Sequence, residues 1–201
     1  MTARRAKKRC AKVTRATRET DIKVELCIEG KGKSAITTGI PFMDHMLTLM
    51  AAHGFFDLTI DAKGDVEIDE HHTVEDIGMV LGEAFNKALG DRKGIKRYGR
   101  GLVPMDEALA SVVIDFSNRP FLFYHVNLKR ETTGRFDAQI IQEFFRAFVH
   151  RSGSTLHINL MYGENTHHMI EAVFKAFGQA LDEGSTLDSR IGTVRSTKGI
   201  L

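Results

Sequence analysis

Apolar and polar residues alternate over Lys12 to Glu19, Ile22 to Ile28 and Lys33 to Thr38, the period of short half-buried strands. Glu29-Gly30-Lys31-Gly32 supplies a turn between the last two. At Pro41 the period changes. Phe42, His45, Met46, Leu49 and Met50 fall at helical spacing behind a proline suited to a first helical turn. Phe55 to Ala62 reads as another strand, and a helix follows from His71 to Leu89, stopped at Gly90. The order then recurs: strands over Ala108 to Asp115 and Pro120 to Val126, a helix from Asp137 to about His150, a strand from Thr155 to Met161 and a helix from His167 to Leu181.

The recurrence extends to individual residues. The stretch HHTVEDIG at His71 returns as HHMIEAVF at His167, 96 positions on (167 − 71). His45 precedes the first block by 26 positions, and Glu143 precedes the second by 24. A chain duplicated about its middle is the expectation. It divides into a basic tail over 1–11, a first α+β repeat over 12–93 and a second over 94–201.

At 201 residues and 42% hydrophobic, the chain can bury a sizeable core. The net charge of +2 is concentrated in Arg4, Arg5, Lys7, Lys8, Arg9 and Lys12. A solvated tail is expected there rather than a nucleic-acid arm or targeting segment. No second basic block with interleaved aromatics follows, which argues against a nucleic-acid-binding body, and no apolar core follows as in a signal peptide. No apolar stretch approaches the ~18 residues of a membrane span. No membrane or nucleic-acid partner is therefore expected, and a cytoplasmic setting is. Cys10 and Cys27 stand in no metal-binding spacing and are expected as free thiols.

On a helix, residues i and i+4 lie about 40° apart around the axis, whereas i+1 is turned about 100°. His71 can thus share one ion with Glu75, and His167 with Glu171, while His72 and His168 point elsewhere. Each helix can serve two ions at once. His45 is a natural additional ligand, and Glu143 is a candidate only through its match to His45. Imidazole and carboxylate without thiolate suit manganese, iron, nickel or zinc. The bland alternative, that such pairs are surface or capping residues, weakens when the spacing occurs twice at matched places.

Other candidates are less marked. His53, before Gly54, faces a site or caps its helix. Arg97, Arg119 and Lys198 are surface charges or cations for a phosphate, which arginine grips with a planar fork. Glu19 is a solvated residue or a general acid or base, and Asp106 and Glu107 read equally well as turn residues. Gly99-Arg100-Gly101 fits neither a P-loop nor a dinucleotide fingerprint.

RETDI (Arg18 to Ile22), GIPFMDHML (Gly39 to Leu47), HHTVEDIG, DFSNRP (Asp115 to Pro120), GENTHHMIEAVFKAFGQAL (Gly163 to Leu181) and STKG (Ser196 to Gly199) stand in that order. Together they closely resemble the imidazoleglycerol-phosphate dehydratases of histidine biosynthesis, from about Lys12 to Leu201. The resemblance implies an α+β fold of two similar halves, each a four-stranded sheet backed by helices, like the second domain of ribosomal protein S5. It further implies trimers assembling into a shell of twenty-four subunits, with two manganese ions in each site at a subunit interface.

The resemblance also assigns roles. His45, His71, His72, Glu75, His167, His168 and Glu171 match metal ligands, and Glu143 stands where several members have a further histidine. Glu19, Arg97, Arg119, Ser196 and Lys198 match substrate-contacting positions, the arginines, Ser196 and Lys198 around the phosphate, and Lys175 falls in a substrate-contacting segment; His45 and His53 are expected to contact the substrate as well. Glu19, Glu75 and Glu171 are the expected catalytic carboxylates. The reaction expected is loss of water from imidazoleglycerol phosphate, a small-molecule phosphate ester, to give imidazole acetol phosphate. Two rival readings are a metal-storing shell protein and a dimetal phosphate-ester hydrolase. Storage has no need of Arg97, Arg119 and Lys198, and a hydrolase would release inorganic phosphate.

Overall fold

The computed structural model describes residues 8–129 and 132–201. In the first half, strands β1 (Cys10–Ala16), β2 (Thr20–Cys27), β3 (Ser34–Thr37) and β4 (Asp57–Gly64) form a sheet of order β1-β2-β4-β3. Helix α1 (Pro41–His53) connects β3 to β4, and α2 (His71–Leu89) follows β4. The second half has β5 (Tyr98–Met105), β6 (Ala108–Asp115), β7 (Phe121–His125) and, after a small hairpin β8 (Thr132–Thr133) and β9 (Phe136–Asp137), β10 (Thr155–Tyr162). Their sheet order is β5-β6-β10-β7, and helices α3 (Ile141–Ser152) and α4 (Thr166–Ser185) take the places of α1 and α2. In each sheet two antiparallel pairings are followed by one parallel pairing, of β3 with β4 or β7 with β10. The duplication is thus one of topology as well as of motif.

Helix α2 lies against β1 and β2 and also against α3; α4 lies against β5 and β6 and also against α1. Each half backs its own sheet and offers its helices to the other half. Apolar residues merge across that seam: the Phe85 and Phe148 rings meet at 5.6 Å, and Phe148 in turn meets Phe177 of its own half at 5.0 Å. The close approach requires glycine. A Cβ on Gly82 would stand 2.4 Å from the Phe148 carbonyl oxygen, and one on Gly178, 96 positions on, 2.5 Å from that of Met50.

Four expectations need correction. Strand β5 falls where a glycine-rich patch outside the strands was read, because its inward face is Gly99, Gly101 and Val103 and its outward face Tyr98, Arg100, Leu102 and Pro104. The usual apolar-in pattern is inverted. The glycines are there because α4 lies directly on the strand: a Cβ on Gly101 would come within 2.1 Å of the Ala176 carbonyl oxygen. Second, Cys10 and Cys27 are not free thiols but form a disulfide. The antiparallel register sets them directly opposite one another, which counting cysteines does not reveal. Third, α3 begins at Ile141, behind a single 3-10 turn (Ala138–Ile140) capped by Asp137. Fourth, the expected 1–11 tail is structured by Cys10, and the Arg9 side chain binds Glu29 and the Ser185 carbonyl. Arg4, Arg5 and Lys7 lie outside the described residues.

Candidate metal centre

Both histidine pairs sit at the N-terminal ends of α2 and α4, the last helix of each repeat. His71 opens α2 at its first residue; in α4, Asn165 caps the helix by accepting from the His167 backbone N–H at 2.9 Å. The helical geometry then acts on both pairs alike. The His71 and His72 rings stand at 81° with centroids 6.2 Å apart, and those of His167 and His168 at 88° and 6.3 Å. Within each pair the first ring turns to its own helix's glutamate. His167 Nε2 is 3.2 Å from Glu171 Oε2, and His71 Nε2 is 3.9 Å from Glu75 Oε2.

The α1–α4 seam completes one cluster. His45 of α1 reaches the same Glu171 oxygen at 3.4 Å, so donor atoms of His45, His167 and Glu171 lie within 4.8 Å of one another. Donor atoms about 2 Å from a first-row ion lie roughly 3 Å apart when adjacent and at most roughly 4 Å when opposite, so two imidazoles and a carboxylate in this arrangement need only a small inward movement to hold such an ion. Burial opposes the Glu171 charge, but the Lys175 ammonium at 2.7 Å and His45 outweigh it, and its pKa is lowered. His53 closes α1 nearby; burial, followed by the Lys175 charge, lowers its pKa. His45, His53, His167, Glu171 and Lys175 thus come together. Among the described residues this is the one such three-ligand group.

The second rings turn to carboxylates. His72 Nδ1 contacts Asp65 at 3.1 Å, with Glu19 Oε2 at 4.0 Å, and His168 Nδ1 contacts Glu107 at 2.7 Å. Each partner raises its histidine's pKa, and the His168 bond, with the Asn165 N–H, holds Glu107 down to about 2. A carboxylate on Nδ1 fixes the tautomer and leaves Nε2 for an ion, the usual support of a metal-bound histidine. Asp65 was not singled out from the sequence, and Glu107 was read as a turn residue. The duplication could have found Glu107, since it lies in the β5–β6 turn that matches the β1–β2 turn bearing Glu19.

The β1–β2 turn is itself anchored on α2. Buried Asp76 accepts from Thr20 Oγ1 at 2.5 Å and from Arg15 Nε at 2.9 Å. Glu19 is thereby held beside His72 while remaining exposed. Glu143 is placed differently from His45. It lines a depression of about 580 Å³ together with His71, but its carboxylate is paired with Arg146 at 2.5 Å, and it joins no three-ligand group.

A third set lies along the chain terminus. Arg97, Arg119, Ser196 and Lys198 line a groove of about 550 Å³ with Tyr98, Arg195, Thr197 and Ile200. Arg97 does not point its whole fork into the groove. Its Nε and Nη2 donate to Asp115 at 2.7 and 3.0 Å, and its Nη1 donates to the Arg195 carbonyl at 2.8 Å. Arg119 is exposed, with Asp115 at 3.8 Å.

The family model described as imidazoleglycerol-phosphate dehydratase matches residues 38–181. Enzymes of that name from Trichlorobacter lovleyi and Caldanaerobacter subterraneus subsp. tengcongensis are 57% and 59% identical, each over 96% of this chain and 100% of their own length. Among solved structures, the imidazoleglycerol-phosphate dehydratase of Staphylococcus aureus has a TM-score of 0.81 at 41% identity, covering 89% of this chain and 99% of that one. That of Pyrococcus furiosus, in complex with (S)-C348, has a TM-score of 0.82 at 38% identity, covering 94% and 100%. With its two HHxxE helices and nearly full-length kinship, the chain belongs to the imidazoleglycerol-phosphate dehydratase family.

Proposed function

We propose that this chain dehydrates imidazoleglycerol phosphate to imidazole acetol phosphate, in a site that takes two manganese ions and is completed between subunits. The observation that carries the reading is the convergence of His45, His167 and Glu171, with Asp65 and Glu107 engaging Nδ1 of His72 and His168 so that each Nε2, the latter 3.9 Å from Asp106, can turn to an ion. His45, His167 and Glu171 would hold one ion, and His71 and Glu75, with Glu143 as a candidate, would hold a second. His72 and His168 face away from their own helix's glutamate and would serve sites completed by a neighbouring subunit. When bound, the ions supply Lewis-acid stabilisation of the substrate's imidazole as an anion.

The remaining work falls to the chain. Arg119, Ser196 and Lys198 hold the phosphate, with Arg97 behind them, and fix the carbon chain relative to the ring. Glu19, exposed beside His72, takes or returns a proton at the carbon next to the departing hydroxyl. Lys175 and His53 flank Glu171 and contribute to the pocket's polarity. Glu75 and Glu171 are ligands first, and any proton transfer by them is secondary to that role.

The test incubates manganese-loaded protein with imidazoleglycerol phosphate and follows the ketone, with an EDTA-stripped control and a parallel inorganic-phosphate assay. Ketone formation that stops on stripping and returns with manganese is expected. Phosphate release without ketone would establish a hydrolase instead, and metal binding with no turnover would favour storage.

A further inference from the structure

The segment after α4 turns back along the approach to β5. Lys96 N donates to the Thr186 carbonyl at 2.8 Å, Asp188 N to that of Gly94 at 2.8 Å, and Gly94 N to that of Thr193 at 3.0 Å. Beyond Thr193, two reciprocal bonds replace this ladder. Arg97 Nη1 donates to the Arg195 carbonyl, and Arg195 Nη1 donates to the Lys96 carbonyl, both at 2.8 Å. Both guanidinium groups also lie over one ring: Cζ of Arg97 is 4.8 Å from the Tyr98 centroid and Cζ of Arg195 is 5.6 Å from it.

Arg97 is a firm base for such an arrangement. Its backbone has φ of 72°, a region non-glycine residues seldom adopt, and it is held there from both sides. Its N–H donates to Gly184 at 2.9 Å, and its carbonyl accepts from Phe116 at 3.1 Å. Its side chain is buried and clamped by two bonds to Asp115, which keeps the guanidinium charged. Tyr98 and Arg195, by contrast, are exposed and are not part of the His45, His167 and Glu171 group. They have no part in the core that would explain their contacts.

We propose that Tyr98 and Arg195 are positioning residues that clasp the C-terminal tail onto the start of β5, holding Ser196 and Lys198 beside Arg119 to receive a phosphate monoester. This rests on the reading of that groove as the phosphate site. Past the clasp, Ser196 organises the tail's own turn: its Oγ accepts from Lys198 N at 3.2 Å and its carbonyl from Gly199 N at 3.1 Å. A clasp at residue 195 therefore sets the position of the next three residues as a unit. Arginine reaches the ring and the Lys96 carbonyl at once because its fork separates the two donors.

The test compares Tyr98→Leu, Tyr98→Phe, Arg195→Gln and Lys198→Ala in the metal-loaded assembly. KM and kcat for imidazoleglycerol phosphate are measured together with amide hydrogen exchange of residues 194–199, with and without inorganic phosphate. Loss of the ring removes two cation–π contacts, so Tyr98→Leu is expected to raise KM about tenfold, leave kcat within about twofold and speed tail exchange by about tenfold. Tyr98→Phe keeps the ring and should restore all three values. Arg195→Gln should act in the same direction as Tyr98→Leu, by a few-fold. Wild-type KM and tail exchange in Tyr98→Leu, alongside a raised KM in Lys198→Ala, would overturn the clasp. So would a loss confined to kcat. If Lys198→Ala leaves KM unchanged, the phosphate reading falls instead, while tail exchange in Tyr98→Leu still reports on the clasp itself.

Discussion

At the scale of single residues, what the chain states most clearly is a spacing. His71 with Glu75 and His167 with Glu171 were readable because helix geometry alone decides which side chains can share an ion. The carboxylates behind the second rings were not, since Asp65 and Glu107 reach His72 and His168 through loops whose course no period describes. They carry a prediction of their own. Asp65 hydrogen-bonds His72 and nothing else among the described side chains, so Asp65→Ala frees that ring and its tautomer. Manganese affinity, measured by titration with electron paramagnetic resonance, should fall 10- to 100-fold, while the metal-free protein melts within about two degrees of wild type. Glu19→Gln tests the reacting proton separately. Its side chain lies 4.0 Å from His72 and supports no other element, so metal content and assembly should stay intact while kcat drops by about two to four orders of magnitude. Near-normal turnover would remove Glu19 from the chemistry.

At the scale of elements, the long amphipathic helices announced themselves: α2 spans the expected His71–Leu89. Strand β5 did not, and the reason lies in a helix. Because α4 rests on Gly99 and Gly101, the strand's buried face carries almost no side chain, and hydrophobic alternation has nothing to register. The pairing of α2 with α3 and of α4 with α1 was equally hidden, although its trace is present as Gly82 and Gly178, 96 positions apart and each against a carbonyl of the opposing helix. Gly82→Ala separates the two influences acting at such a site. Helix propensity alone would stabilise the protein by roughly 1 kcal/mol. A methyl group 2.4 Å from the Phe148 carbonyl oxygen must instead push α3 away, at a cost of about 1 to 3 kcal/mol for overpacking. Urea unfolding should show net destabilisation, and a more stable variant would mean that the seam is slack.

At the scale of the whole molecule, the two candidate ligand groups of one chain form no common cluster among the described residues. His45, His167 and Glu171 come together on the α1–α4 seam, whereas His71, His72 and Glu75 begin the other repeat's helix and enter no three-ligand group there. In the proposed assembly, a site that needs both draws them from two chains. Mixing variants decides the point. Glu75→Ala and Glu171→Ala should each be inactive alone, since each removes one half of every site. In assemblies co-expressed from equal amounts of the two, a shared site receives an intact first group in half of cases and an intact second group in half. About a quarter of wild-type activity should therefore return, as expected when one surface patch meets a different patch on its neighbour. Sites built within single chains would give none, because every chain in the mixture lacks one carboxylate. Refolding the two variants separately and then combining them supplies the control: activity should appear only as subunits exchange, at the rate of exchange followed independently between labelled subunits.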